Sequence, residues 1–213
     1  MKKGKGLKKG LLLALLLAVM AGTLNVQAAG KDVTKSMSKN SGLKKIVRDI
    51  TKYTTVEMAG STKKVTVSMK NSNLFSMAGY VGANSYHKTG FTKAEIQKLT
   101  YNLFGKKPSV SVIPKFRAKG QRWIARRYQS WQKKPYVYTG GDWGTYYPVY
   151  KITRIVKVKT NVYDVTVTNK LGSYETKTTR AAGTTTIRIK KNTKSSYGFV
   201  ITKLTYKGNG QRF

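Results

Sequence analysis

One histidine, seven carboxylates and no cysteine make up the acid–base and nucleophilic inventory of this chain. His87 falls in the polar stretch Asn84–Gly90, and a lone loop histidine is an ordinary surface residue unless a carboxylate or a second ligand stands beside it. A single His and no Cys rule out disulfides, thiolate metal sites and a paired-His metal site within one chain. Among the acids, Asp32 lies in an N-terminal leader, Asp49 sits opposite lysines on a helix, and Glu95 belongs to a helix cap. Glu57, Asp142, Asp164 and Glu175 remain. Glycoside hydrolysis needs two carboxylates at a set separation, and no spacing here points to such a pair. The expectation is a protein with no catalytic residues, no cofactor and no metal. The enzymatic alternative is an exported, nuclease-like hydrolase of a polyanion, in which His87 works with a carboxylate and arginines.

Binding chemistry is better represented. All three tryptophans, Trp123, Trp131 and Trp143, fall between Phe116 and Tyr147, interleaved with Arg117, Arg122, Arg126, Arg127 and Lys133-Lys134. Aromatics alternating with cations suit stacked bases and phosphates; the same pattern suits core aromatics beneath a solvated basic face. No RRM, KH or helix-turn-helix signature accompanies them, so specific nucleic-acid recognition is not expected. Gly141-Asp142-Trp143-Gly144 reads as a binding lip for sugar or peptide, or as a turn whose Asp caps local amides and whose Trp covers a core edge. Arg188 and Lys190 stand two apart on a predicted strand, so both project from the face opposite Ile187 and Ile189. The candidate binding residues are therefore Arg122, Trp123, Arg126, Arg127, Trp131, Asp142, Trp143, Arg188 and Lys190.

Charge sets the class of partner. The 213 residues include 42 Lys or Arg against 7 Asp or Glu, a formal net charge of +35. Such a field attracts polyanions: nucleic acid, acidic glycan, anionic lipid or anionic cell-wall polymer, the last being the expected partner beside a small ligand or partner on the concave sheet face. A membrane-active cationic protein is a further alternative, against which the sheet-rich pattern argues. The same lysines also serve solubility. Lys2, Lys3, Lys5, Lys8 and Lys9 precede an apolar run from Leu11 to Met20 that is too short to cross a bilayer comfortably. Val26-Gln27-Ala28 follows, with small residues at the −3 and −1 positions of a cleavage site. This layout predicts a secretory signal peptide over 1–28, cleavage near Ala28–Ala29 and a secreted or cell-envelope location. A secreted chain without Cys is common in Gram-positive bacteria, which is the expected setting by association. After cleavage no transmembrane span is expected, and the mature chain keeps a net charge of about +30.

The elements that must hold these groups follow from periodicity. Residues 29–41 read as a flexible leader and 42–213 as a single domain. Ser41 is the expected N-cap of a helix over Gly42–Thr54 carrying Leu43, Ile46, Val47 and Ile50. Val65, Val67 and Met69 alternate as a strand. Leu74, Phe75, Ala78 and Val81 return to helical spacing behind Ser72, weakened by Gly79 and Gly82. Thr92-Lys93-Ala94-Glu95 is a capping box opening a helix that Gly105 closes. Val110 and Val112 alternate as an edge strand. Strands are expected over Tyr136–Thr139, Tyr150–Lys159, Val162–Thr168, Tyr174–Thr179, Thr184–Lys190 and Phe199–Lys207. The fold class is α+β: N-terminal helices packed on a bent antiparallel sheet.

Three stretches carry a family resemblance: Gly141-Asp142-Trp143-Gly144 followed by Pro148; Ser196-Tyr197-Gly198-Phe199-Val200-Ile201-Thr202 at the end of the meander; and Asn102-Leu103-Phe104-Gly105-Lys106-Lys107 before the sheet. Together they resemble uncharacterised secreted proteins of Gram-positive gut anaerobes over roughly residues 42–207. The resemblance implies an NTF2/cystatin-like helix-plus-curved-sheet domain, and it implies no activity. The Trp-rich segment Lys115–Lys134 departs from it.

Overall fold

Leu43, Ile46, Val47 and Ile50 recur at helical spacing, and all four are fully buried. Each such side chain removed from water contributes about 1.5–3 kcal/mol, so this stripe decides which way the first long helix faces. The computed structural model describes residues 30–58, 61–88, 90–113, 125–127, 136–138 and 146–210, without the side chains of 56–58, 125–127 and 137–138. In chain order the elements are β1 (Lys31–Asp32), α1 (Thr34–Met37), α2 (Ser41–Met58), β2 (Lys64–Thr66), α3 (Asn71–Tyr86), β3 (Gly90–Phe91), α4 (Lys93–Phe104), a 3-10 turn (Val110–Val112), β4 (Ala125–Arg127), β5 (Tyr136–Tyr138), β6 (Tyr146–Lys159), β7 (Val162–Ser173), β8 (Thr179–Lys191) and β9 (Phe199–Gly208).

The class is α+β. Six antiparallel strands form one sheet in the order β1–β6–β7–β8–β9–β2; β3, β5 and β4 form a second, three-stranded sheet. Helix α2 lies across β6 to β9, α4 lies against β9, and α3 packs behind them on α2 and α4. The core fills the space between α2, α4 and the inner sheet face, where Val165, Val167, Ile187, Ile189 and Leu204 are fully buried. Register shifts at Ile152/Arg154, Lys157/Lys159, Asn169/Lys170 and Arg188/Ile189 mark bulges, which bend and twist the strands that carry them. Polar groups fix how α2 seats on the sheet. Thr54 Oγ1 meets Thr185 Oγ1 at 2.9 Å, and Asn169 Nδ2 donates to Thr185 Oγ1 at 3.0 Å, all three residues being buried.

Several expectations shift in detail. The capping box forms as expected: Glu95 N–H donates to Thr92 Oγ1 and Thr92 N–H donates to Glu95 Oε2, while Gly105 ends α4 in the left-handed conformation. Asn40, not Ser41, caps α2, because its Oδ1 accepts from Leu43 N–H at 2.9 Å. Ser72 lies inside α3, whose N-cap Lys70 supplies no side-chain bond. Val110–Val112 is a 3-10 turn rather than a strand, since Ser109 Oγ accepts from Ser111 N–H and Ile113 N–H returns to the Val110 carbonyl. Tyr174–Thr179 is mostly turn: Ser173 N–H reaches the Thr178 carbonyl and Lys177 takes a positive φ of 56°. Within the stretch expected as leader, Lys31 and Asp32 pair with β6, and Thr34 Oγ1 accepts from Ile155 N–H at 2.8 Å. The expected signal peptide 1–28, the first residue of the expected leader, the string Gly141-Asp142-Trp143-Gly144 and most of Lys115–Lys134 lie outside the described residues.

Candidate functional site

Strand β8 reads Thr184-Thr185-Thr186-Ile187-Arg188-Ile189-Lys190. Thr185, Ile187 and Ile189 are buried, so Thr184, Thr186, Arg188 and Lys190 belong to the outer face. The pairing register then sets what stands beside them. Thr66, Thr205, Thr186, Thr166 and Arg154 form one row across five strands. Lys64, Lys207, Thr184, Thr168 and Lys151 form the next. Neighbours in a row stand about 4.8 Å apart and rows about 7 Å apart, so the hydroxyls of Thr66, Thr186, Thr166, Thr184 and Thr168 are bordered by cations, while Thr205 among them is buried at 6% exposure.

Like charges face one another in this register. Lys64 is opposite Lys207, Lys31 opposite Lys157, and Arg188 opposite Lys203. Directly opposed like charges destabilise a sheet. Of the three, the Arg188–Lys203 pair has an acid in line: Asp164, opposite Arg188 on the other side, accepts from its Nε and Nη2, both at 2.7 Å. That fork raises the Arg188 pKa through the Asp164 hydrogen bond. Arg188, expected as a free binding cation, is therefore engaged within the sheet.

Lys190 leads to a basin of about 670 Å³ at the end of the sheet. Lys106, Lys190, Lys191 and Lys194 line it, together with Asn161 and Asn192, and among the described residues no carboxylate does. Local chemistry builds its walls. Asn161 turns the β6–β7 hairpin at a φ of 60°, and Lys191 N–H donates to the Asn161 carbonyl at 2.8 Å. Asn192 Oδ1 accepts from Lys194 N–H at 3.0 Å, which curls the β8–β9 loop over the hollow. The C-terminus of α4 also ends here at Gly105, and its partial negative charge favours lysines nearby. Of the remaining sequence candidates, Arg126 and Arg127 lie on β4, whose side chains are not described; Arg122, Trp123, Trp131, Asp142 and Trp143 lie outside the described residues.

Sequence reasoning misses a second polar centre. Asp49, expected opposite lysines on a helix, is fully buried. Its Oδ1 accepts from Arg48 Nε at 2.9 Å, and its Oδ2 accepts from the Tyr86 and Tyr197 hydroxyls at 2.9 Å each. The two hydroxyls also meet at 2.8 Å, so two phenolic protons serve three short contacts. Burial, first of all, pushes the Tyr197 pKa up, helped by the Tyr86 hydrogen bond and the Asp49 charge. Burial likewise raises Tyr86. These phenols are hydrogen-bond donors at neutral pH, not bases or nucleophiles. A sequence signal for Asp49 exists: it stands three residues after Ile46 and four before Tyr53, inside the apolar stripe.

His87 is exposed and terminates α3 in the left-handed conformation, so Asn84–Tyr86 complete a helix rather than open a loop. Among the described residues no three His, Cys, Asp or Glu side chains come together as a metal site would need. No described helix is long and apolar enough to cross a membrane. Compared with known proteins, the chain matches no family model, no curated protein and no solved structure.

Proposed function

We propose that this protein is exported and binds an anionic polymer of the cell envelope, without turnover, through the lysine-lined basin and the adjoining outer face of the six-stranded sheet. The observation that carries the reading is the basin: four lysines around one hollow of about 670 Å³ with no acid among its described lining. The opposed Lys64–Lys207 pair supports it, because a bound polyanion relieves the repulsion that the register maintains. Hydroxyls between the cationic edges suit a polymer whose phosphates or carboxylates alternate with sugar or polyol units, since Thr both donates and accepts. Export rests on the basic, apolar and small-residue order of residues 1–28. An NTF2/cystatin-like kinship is part of the proposal, supported by helices on one face of an antiparallel sheet with bulged strands. A solved structure with a closed barrel would remove that kinship.

The test is retention on purified anionic wall polymer across a salt series. Removing one lysine–phosphate pairing should flatten the log–log salt dependence by about 0.7–0.9. The variant Lys190→Gln/Lys191→Gln/Lys194→Gln should show the largest flattening and Lys64→Gln/Lys207→Gln a smaller one. Retention indifferent to salt and to both sets would overturn the proposal. For export, mass spectrometry of culture supernatant should find a mature N-terminus near Ala29.

A further inference from the structure

Away from the sheet's outer face, a cleft of about 390 Å³ opens among α2, α3, α4 and the β8–β9 loop, a volume in the range of small-molecule sites. Leu99 and the exposed Tyr86 ring give it apolar surface, over Phe91 and Tyr197, which are 1% and 3% exposed. The glycine at position 82 creates that floor: a Cβ there would collide with the Phe91 ring, so only Gly lets the ring lie against the helix. The tyrosines have their hydroxyls turned to the buried Asp49, which leaves the Tyr86 ring surface to line the cleft.

The charged lining is lopsided. Glu95 is the only acid among the described lining residues, and it is already engaged twice: Lys88 Nζ holds Oε1 at 2.6 Å, and the Thr92 amide holds Oε2. Lys88 is also placed 5.7 Å from the Phe91 ring centroid. Lys45 Nζ lies 5.7 Å from the Tyr86 centroid and 5.6 Å from that of Tyr197, held over aromatic faces. Lys98 completes the lining, and both Lys45 and Lys98 are exposed. The cleft thus offers two ammonium groups in excess over its carboxylate, above a flat apolar floor.

We propose that this cleft is a binding site for a small organic anion with a flat apolar body, an aromatic carboxylate being the simplest representative, separate from the polymer-binding face. The ring packs on Leu99 and the Tyr86 ring, over the buried Phe91 and Tyr197, and the carboxylate lies between Lys45 and Lys98. Such a ligand gains desolvation of its body and a charge-assisted bond at its head. A cation meets the lysines as like charge, and a neutral isostere loses the head contact.

Calorimetric titration of the intact protein with 2-naphthoate, 2-naphthalenemethanol and 2-naphthylmethylammonium tests this. Naphthoate should bind one to one and saturate, with the alcohol at least tenfold weaker and the amine weaker still. Lys45→Gln/Lys98→Gln should weaken naphthoate at least tenfold and leave the alcohol unchanged. Leu99→Trp, which fills the floor without touching the charges, should abolish both. Lys190→Gln/Lys203→Gln, on the other side of the sheet, should change neither. Equal affinity for acid and alcohol would reduce the cleft to an apolar groove and overturn the proposal. So would naphthoate binding that tracks the Lys190 and Lys203 charges, or the lack of any saturable naphthoate binding.

Discussion

Two Arg–Asp pairs mark two regions of this molecule, and their surroundings are opposite. Arg188 and Asp164 face each other across β8 and β7 on the outer sheet face, joined by two parallel hydrogen bonds, with 41% and 24% of their side chains exposed. Arg48 and Asp49 are neighbours on α2; the arginine side chain is 43% exposed and the carboxylate not at all. The outer pair is screened by water and neutralises one cation in a basic field. The inner carboxylate has no water and depends on three protein donors. Identical chemistry therefore tunes charge in one region and holds architecture in the other, because solvent access sets the cost of leaving an ion unpartnered.

The sharpest way to break this comparison is to remove each acid. Asp49→Ala removes the acceptor shared by the Tyr86 and Tyr197 hydroxyls, which then keep only each other, and should cost about 1–3 kcal/mol in denaturant unfolding. Asp164→Ala should cost only about 0.5–1 kcal/mol and should strengthen retention on polyanions, since Arg188 is freed. Equal losses from the two would erase the distinction. Phe104→Ala offers an apolar yardstick: this residue of α4 is 5% exposed, and its loss should cost about 3 kcal/mol. A loss under about 0.5 kcal/mol, typical of surface sites, would contradict the packing of α4.

Alkaline titration sharpens the comparison next. The Tyr197 pKa is raised in the folded state, chiefly by burial. The folded protein then holds this proton where the unfolded chain releases it, so the stability is fully present below about pH 10 and is lost as pH rises above it. The limiting slope is about 1.4 kcal/mol per pH unit for one group. Unfolding free energies of wild type and Tyr197→Phe, measured from pH 8 to 11, should separate in slope above pH 10. Parallel curves would show that this hydroxyl does not feel its burial. The smallest effect is expected at His87: with its side chain exposed at the end of α3, His87→Ala should shift stability by less than about 0.5 kcal/mol. Hydrolysis of a polyanion that disappears in this variant would instead establish the enzyme.

Legibility follows the range of the interaction. The Thr92–Glu95 box closes over three residues, and both its bonds are readable from four letters. The inward set on β7 and β8 is readable from period two. Short apolar alternation misleads at Val110–Val112, where Ser109 caps a turn, and β-rich composition misleads at Tyr174–Thr179, where Lys177 turns the chain. The position of Asp49 inside the apolar stripe is readable, but its tyrosine partners are not, because they stand 37 and 148 positions away.

Composition and periodicity alone determined the α+β class, the capped helix, the inward faces of the central strands and the strongly basic character. These depend on local sterics and on the separation of apolar from polar residues, which near neighbours dictate. Only the tertiary structure decided that Arg188 is engaged, that lysine stands opposite lysine, that four lysines meet at one basin, and that Asp49 is sealed behind two phenols. Each of these is a meeting of distant segments, and register and burial, which decide such meetings, arise from the whole set of packed elements rather than from any one stretch of chain.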